Sequence, residues 1–418
     1  MKNIVICCDG TGNEISENIS NVLKLYRTLR KMGKTEPNQV VFYDPGVGTL
    51  AKPDPWMKFK QDAVAVLGLV TGYGLDDNVL AAYTFLANHY EDGDHVFLFG
   101  FSRGAYTVRV LAGLVHRIGL LGPHQVNLVG SALTAYKQID ANDMTARPTD
   151  RSEEAGSGQP QPSTKEDRAS QFARIVSARW PTIKFLGVWD TVASVIVPRS
   201  DRYYFGFSLQ TLANTRCNPS VKVFRQAMAI DERRRMFRLD PWDEPQTFMH
   251  NRFSATNNTE PQDAKQVWFA GVHADIGGGY PEAESGLSKY PLIWMIKEAV
   301  DQGLAVDPRT VNQLAWGVQR KGSPFTYVAP DFTREPHNSL SGAWRALEWI
   351  PKGDKYKEWK DRKSVLGHYL PKGEPRFIPS GAFVHRSVID RKDAAPSYKP
   401  VNLPERYEIV ENPSRPER

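Results

Sequence analysis

The chain has 418 residues, 41% hydrophobic and 24% charged, which suits a single globular domain spanning 1–418 and excludes a chain too polar to fold. A net charge of +6 over so large a surface permits contact with anionic lipid and gives no reason to expect nucleic acid as a partner. Three cysteines, Cys7, Cys8 and Cys217, exclude a disulfide framework and point to a reducing compartment, and no apolar run approaches the roughly 20 residues of a membrane span.

The first residues are interrupted by acid at Asp9, too soon for a signal peptide, so the chain is expected to be cytoplasmic when made. Asn3–Cys8 is a short continuous apolar run, the pattern of a parallel strand buried on both faces, and Asp9-Gly10-Thr11-Gly12-Asn13 is its ligand-side loop. Ser20 to Met32 has helical period, and Val40–Asp44 followed by Pro45-Gly46-Val47-Gly48 reads as a second strand and loop. Leu75–Tyr90 is apolar at Val79, Tyr83, Leu86 and Tyr90, hence helical, with Asp76 or Asp77 as the expected N-cap.

His95–Phe101 is an apolar run ending in Gly100-Phe101-Ser102-Arg103-Gly104, and Val108, Leu111, Ala112 and Val115 then share one helical face. A strand, a tight turn with Ser102 at its apex and a helix make a nucleophile elbow, in which glycines on either side let the backbone turn sharply. Residues 140–171, rich in Pro, Gly, Ser and acid, cannot bury enough apolar area to offset their ordering and are expected to be a mobile insertion. Thr182–Trp189 resumes the sheet and ends at Asp190; Gln266–Val272 is a further strand ending at His273. Tyr290–Val300 is an apolar helix, the stretch 342–369 is rich in Trp and Lys without clear period, and His385 follows a short strand. Segments 191–225 and 285–372 are expected to form lid or cap insertions, with Val195–Phe207 either lining a lipid-facing entrance or packing as a lid.

Repeated strand, loop and helix predict an α/β fold: α/β-hydrolase-like, a mainly parallel twisted sheet with helices on both faces. Ser102, Asp190 and His273 each fall directly after a predicted strand, where a parallel sheet presents side chains to one crevice, and stand in the triad order of that fold. In this reading Ser102 is the nucleophile, His273 the base and Asp190 the residue that orients it. Asp190 also suits a helix N-cap, His273 a hydrogen-bonded core histidine, and His385 stays open as a rival base. For the oxyanion the donors are the backbone N–H of Arg103 and one from Gly10 or Thr11. Asp-Gly-Thr after a strand also fits an aspartyl phosphatase, but Cys7 stands where that chemistry needs its carboxylate. Gly277-Gly278-Gly279-Tyr280 lacks the Lys-Ser/Thr of a P-loop, and neither a cofactor nor a metal is expected.

Asp9-Gly-Thr-Gly-Asn13, Gly100-Phe-Ser-Arg-Gly-Ala105, Gly187-Val-Trp-Asp-Thr-Val192, Gly271–Tyr280 and His385-Arg-Ser-Val388 occur in the order seen in a bacterial and fungal family of α/β-hydrolase domains. The chain thus resembles the family that includes the phospholipase effectors of the type VI secretion system. The resemblance implies a serine hydrolase acting on glycerophospholipid esters, and assigns Ser102, Asp190 and His273 the roles above. It implies as partners a phospholipid surface, a secretion-system spike and an immunity protein, with delivery to another cell. A soluble carboxylesterase or thioesterase, or a non-catalytic binding protein on the same scaffold, is the alternative.

Overall fold

The computed structural model describes residues 1–10, 18–31, 37–46, 74–139, 168–176, 178–192, 196–198, 207–209, 212–250 and 259–415. Eight strands form one sheet: β1 (Asn3–Cys8), β2 (Gln39–Asp44), β3 (His95–Phe101), β4 (Ile183–Trp189), β5 (Val221–Ala229), β6 (Asp263–Phe269), β7 (Ala382–His385) and β8 (Tyr407–Val410). Their order across the sheet is β2-β1-β3-β4-β5-β6-β7-β8, and every neighbouring pair is parallel. The strand order reverses at β1 and β3, so the crevice that parallel sheets offer to ligands opens at the carboxyl ends of those two strands.

Side-chain alternation along the strands divides the core in two. Ile4, Ile6 and Cys8 of β1 and Val96 and Leu98 of β3 pack on one face against α2 (Leu75–His89), α3 (Arg103–Ile118) and α4 (Val129–Lys137). Val5, Cys7, Phe97 and Phe99 pack on the other against α1 (Asn21–Thr28), α7 (Lys289–Asp301) and α8 (Pro308–Leu314). The α/β reading therefore holds, with a sheet covered on both faces. On the second face Lys24 of α1 and Lys289 of α7 are fully buried and share Glu282 at 2.9 and 2.5 Å, which ties both helices to the loop that follows His273. Among the described residues no helix is long and apolar enough to cross a membrane.

Several boundaries differ from expectation, each for a local reason. The cap of α2 is Gly74 at φ +83°, with Asp76 and Asp77 in the first turn, where their charge favours the helix dipole without capping it. The first helix stops at Thr28 because Leu29 turns extended and bridges Val306. The strand expected at 266–272 is β6, running Asp263–Phe269, because Gly271 at φ +120° turns the chain before His273.

β5 carries no local signal of a strand, and its first residues fall within the expected 191–225 insertion. Its interior Arg225 and Gln226 read as surface until their partners are seen. Arg225 pairs with Asp263 and Glu298, and Gln226 accepts from the buried Arg109 of α3. Most of the expected 140–171 insertion lies outside the described residues, and α5 (Arg168–Ile175) covers its end. Tyr203, Tyr204 and Phe205 of the expected entrance also lie outside them.

Gly104 tests how tightly the sheet is closed at the crevice. A Cβ there would run into the carbonyl oxygens of Cys8 and Asp9, which are backbone atoms that cannot swing aside. Gly130, in the first turn of α4, has open space around it. Gly104→Ala is therefore expected to lower the melting temperature sharply or prevent folding, while Gly130→Ala is neutral or stabilising by up to about 1 kcal/mol in denaturant titration.

Candidate active site

Between β3 and α3 stands a single residue, Ser102, at φ 57° and ψ −120°. A non-glycine residue held there costs on the order of 1–3 kcal/mol, so the surroundings must impose it. They do so by close packing and by a clamp on the backbone. Gly100 and Gly104 face each other so closely that a Cβ on Gly100 would meet the backbone of Gly104 and Ala105, and the Ser102 N–H donates to the Trp189 carbonyl at 3.0 Å. The hydroxyl is thereby fixed at the carboxyl edge of the sheet, over the neighbouring ends of β3 and β4.

Asp190 follows β4 directly, also at positive φ (42°), its N–H bonded to Ala227 O at 2.8 Å and its Oδ1 accepting from Ala229 N at 2.9 Å. No helix begins at Asp190: the chain continues extended and Val192 bridges Leu239, so an N-cap role does not arise. His273 opens the short helix α6 (His273–Gly277) beyond β6, and its backbone N–H donates to Glu232 Oε2 at 3.1 Å. Its Nδ1 lies 2.5 Å from Asp190 Oδ2 and its Nε2 lies 2.8 Å from Ser102 Oγ. With a carboxylate on Nδ1 the ring proton belongs there, which leaves Nε2 to accept from the serine hydroxyl. Phe101 and Phe237 flank the ring, at centroid distances of 4.7 and 4.8 Å. Burial lowers the pKa of His273 below its ordinary value despite the opposing pull of Asp190, and the Arg234 guanidinium adds to the decrease.

Two further residues complete the arrangement, and neither had a motif to announce it. Arg376, 1% exposed, meets Asp190 with both guanidinium nitrogens, at 2.5 and 2.9 Å, and also donates to the carbonyls of Ala229 and Phe237. Burial alone would raise the Asp190 pKa; Arg376 and His273 outweigh it and hold the carboxyl well below the usual carboxylate range. Glu232, also buried, takes the His273 N–H and is paired with Arg234 at 2.9 Å, which against the effect of burial holds its pKa at about 2. A lone arginine or glutamate in a loop gives no sequence signal; only the fold shows that each is buried beside an opposite charge.

The expected oxyanion donors are placed unequally. Arg103 supplies the first N–H of α3, and the opening N–H groups of a helix have no intrahelical acceptor. The Gly10 N–H donates to Asp9 Oδ1 at 2.7 Å, and the other oxygen of Asp9 accepts from Ser20 and from Tyr43. Thr11 lies outside the described residues. His385 sits in the core, stacked on Phe269 at 4.4 Å, and its Nδ1 caps α9 (Arg386–Ala394) by accepting from Ser387 N. Burial pushes its pKa down to about 3, so the ring is neutral. Asp275 is committed to the backbone of Val272 and to His337.

Residues 2–298 match the family described as the type VI secretion phospholipase effector Tle1-like catalytic domain. An uncharacterised protein of Saccharomyces cerevisiae, YEL023C, is 30% identical over 242 residues, 57% of this chain and 32% of the yeast protein. An uncharacterised Pseudomonas aeruginosa protein of known crystal structure is 17% identical with a TM-score of 0.36, covering 74% of this chain and 47% of that one. The Tle1 effector solved bound to the VgrG spike of the type 6 secretion system is 18% identical with a TM-score of 0.33, covering 69% and 52%. The chain thus spans about a third of its curated yeast relative and about half of each of the two solved chains.

Removing Arg376 leaves a buried carboxylate without its cation, at a cost of about 3–5 kcal/mol. Arg376→Met is expected to lower the midpoint of denaturant unfolding accordingly, whereas Ser102→Ala, which breaks no ion pair, leaves it within about 1 kcal/mol. Equal midpoints for Arg376→Met and the parent chain would show that the pair contributes nothing to stability.

Proposed function

Because the chain belongs to the Tle1-like family of type VI secretion phospholipase effector catalytic domains, we propose that it is a serine hydrolase cleaving the carboxylic esters of glycerophospholipids, a phospholipase of the A type. The observation that carries this reading is the continuous hydrogen-bonded chain from Ser102 Oγ through His273 to Asp190 at the carboxyl edge of a parallel sheet. As Ser102 Oγ attacks the acyl carbonyl carbon, its proton passes to His273 Nε2, and the imidazolium is stabilised by Asp190. The tetrahedral oxyanion is held by the Arg103 N–H together with one from Gly10 or Thr11; for Gly10 this requires release from Asp9. Collapse breaks the ester C–O bond, and His273 returns the proton to the departing lysophospholipid oxygen. Water, deprotonated by the same nitrogen, then hydrolyses the acyl-serine and restores Ser102.

Within the segments expected as lid or cap, residues 221–225 belong to β5 and Lys289–Asp301 and Pro308–Leu314 pack on the sheet as α7 and α8; the remaining parts up to residue 347, where Trp344 lies against Phe237 beside His273, are proposed to cover the entrance. Membership of an effector family supports delivery to another cell by a secretion system, and we propose a spike as carrier and an immunity protein as guard on that basis. An ester activity confined to water-soluble substrates would favour a carboxylesterase instead.

Ser102→Ala is expected to reduce hydrolysis of phospholipid in detergent micelles by roughly 10⁴-fold or more, and His273→Ala comparably, because triad members act as a unit. His385→Ala, a core and capping change, should leave the rate of the folded enzyme within a few fold; the reverse ranking would transfer the base to His385. Catalysis needs neutral His273, whose pKa lies below the ordinary imidazole value, so the acid limb of kcat/KM is expected to be centred below pH 6.5. An acid limb centred above pH 7 would contradict that assignment.

A further inference from the structure

Among the described residues, six of the twelve large apolar side chains left exposed fall between Trp349 and Phe377. Scattered singly such residues mean little, but a cluster marks a surface that meets something. At its tip, Leu366 is 94% and Val365 75% exposed, in a turn closed by the Val365–His368 bridge and based on the antiparallel pair Lys352–Gly353 with His368–Tyr369. Leu366 also stands at φ 52°, in the left-handed region that disfavours a branched apolar residue. The leucine thus gains neither burial nor a relaxed backbone from the fold, so folding gives no reason for its presence there.

Its surroundings are strongly basic. From Pro351 to Lys372 the sequence has seven Lys or Arg against three Asp or Glu, a net +4 of the +6 carried by the whole chain. Pro351, Arg362, Lys363, Leu370 and Lys372 line an open cavity of about 470 Å³ beside the tip. Lys372 stands over the exposed Trp349 ring at 5.0 Å. An aliphatic tip, cations lining the cavity beside it and an indole under one of those cations form the pattern that lets a surface enter the headgroup region of an anionic bilayer.

The patch is also joined to the catalytic centre. Arg235 donates to the Leu347 and Ile350 carbonyls, Trp344 lies edge-on to Phe237 at 5.4 Å, and Phe237 in turn lies edge-on to His273 at 4.8 Å. We propose that the surface formed by Trp349, Ile350, Val365, Leu366, Leu370 and the surrounding Lys and Arg docks the enzyme on an anionic phospholipid bilayer, with Val365 and Leu366 inserted below the headgroups. The proposal rests on the phospholipid reading above for its purpose, and on exposure and charge for its evidence.

The test is co-sedimentation of the full chain carrying Ser102→Ala, which binds without turnover, with vesicles of phosphatidylcholine alone and of an equimolar mixture with phosphatidylglycerol. Binding is expected on the mixed vesicles, about tenfold weaker for Val365→Ser/Leu366→Ser. The loss should be larger still for Lys363→Glu/Lys372→Glu, and raised salt should weaken the parent's binding. Both pairs of substitutions, placed in the active chain, should leave the melting temperature and the hydrolysis of a short soluble ester unchanged. Failure of the Ser102→Ala chain to bind mixed vesicles, or equal binding by both variants, would overturn the proposal. Docking as expected without any phospholipid cleavage by the active chain would uphold the surface while refuting the phospholipase reading. Cleavage in micelles without docking on vesicles would refute the surface alone.

Discussion

A carboxylate withdrawn completely from water must be met by opposite charge, and around Asp190 that requirement organises much of the molecule. Its two oxygens are shared among the His273 ring, the Arg376 guanidinium and the Ala229 N–H, so β4, β5, the turn after β6 and the segment before β7 all converge on one group. Burial makes each contact electrostatically strong and the loss of any one expensive. The same low-dielectric setting lowers the pKa of the imidazole against the pull of Asp190.

The backbone around the site is shaped by close approach. Ser102 and Asp190 both sit at positive φ although neither is glycine, and Gly100 and Gly104 supply the missing volume between strand, turn and helix. Strain at two adjacent strand ends persists because the core beneath is closed: β1 and β3 are buried along nearly their whole length and α3 is covered on all sides. The buried pair of lysines on Glu282 extends that rigidity to the far side of the sheet, just downstream of His273.

How much of this could be read from the chain depended on whether the signal was local. Ser102 was legible because the elbow needs its glycines at fixed spacing, and Asp190 and His273 because each follows an apolar run that could only be a buried strand. Arg376 and Glu232 were not, since a charge is judged buried only once its distant partner is known. β5 was hidden for the same reason: Arg225 and Gln226 look like surface residues until Asp263, Glu298 and Arg109 are brought against them. The cap of α2 was misplaced because carboxylates near a helix start can act on the dipole as well as cap it, and Gly74 had already made the turn. Thr11 and the aromatic stretch after Asp190 lie outside the described residues, and the oxyanion and entrance assignments that rest on them are proposals.

The Asp190–Arg376 pair joins residues 186 positions apart, and the arginine lies beyond the stretch 2–298 that carries the family match. During synthesis Ser102, Asp190 and His273 all leave the ribosome before the cation that neutralises Asp190. Until Arg376 docks, sealing Asp190 into the apolar interior is costly, so the carboxylate stays hydrated and the imidazole lacks its fixed orientation. The centre can therefore assemble only once residue 376 has been made: a shorter polypeptide carries all three side chains and leaves the Asp190 carboxylate without its buried cation.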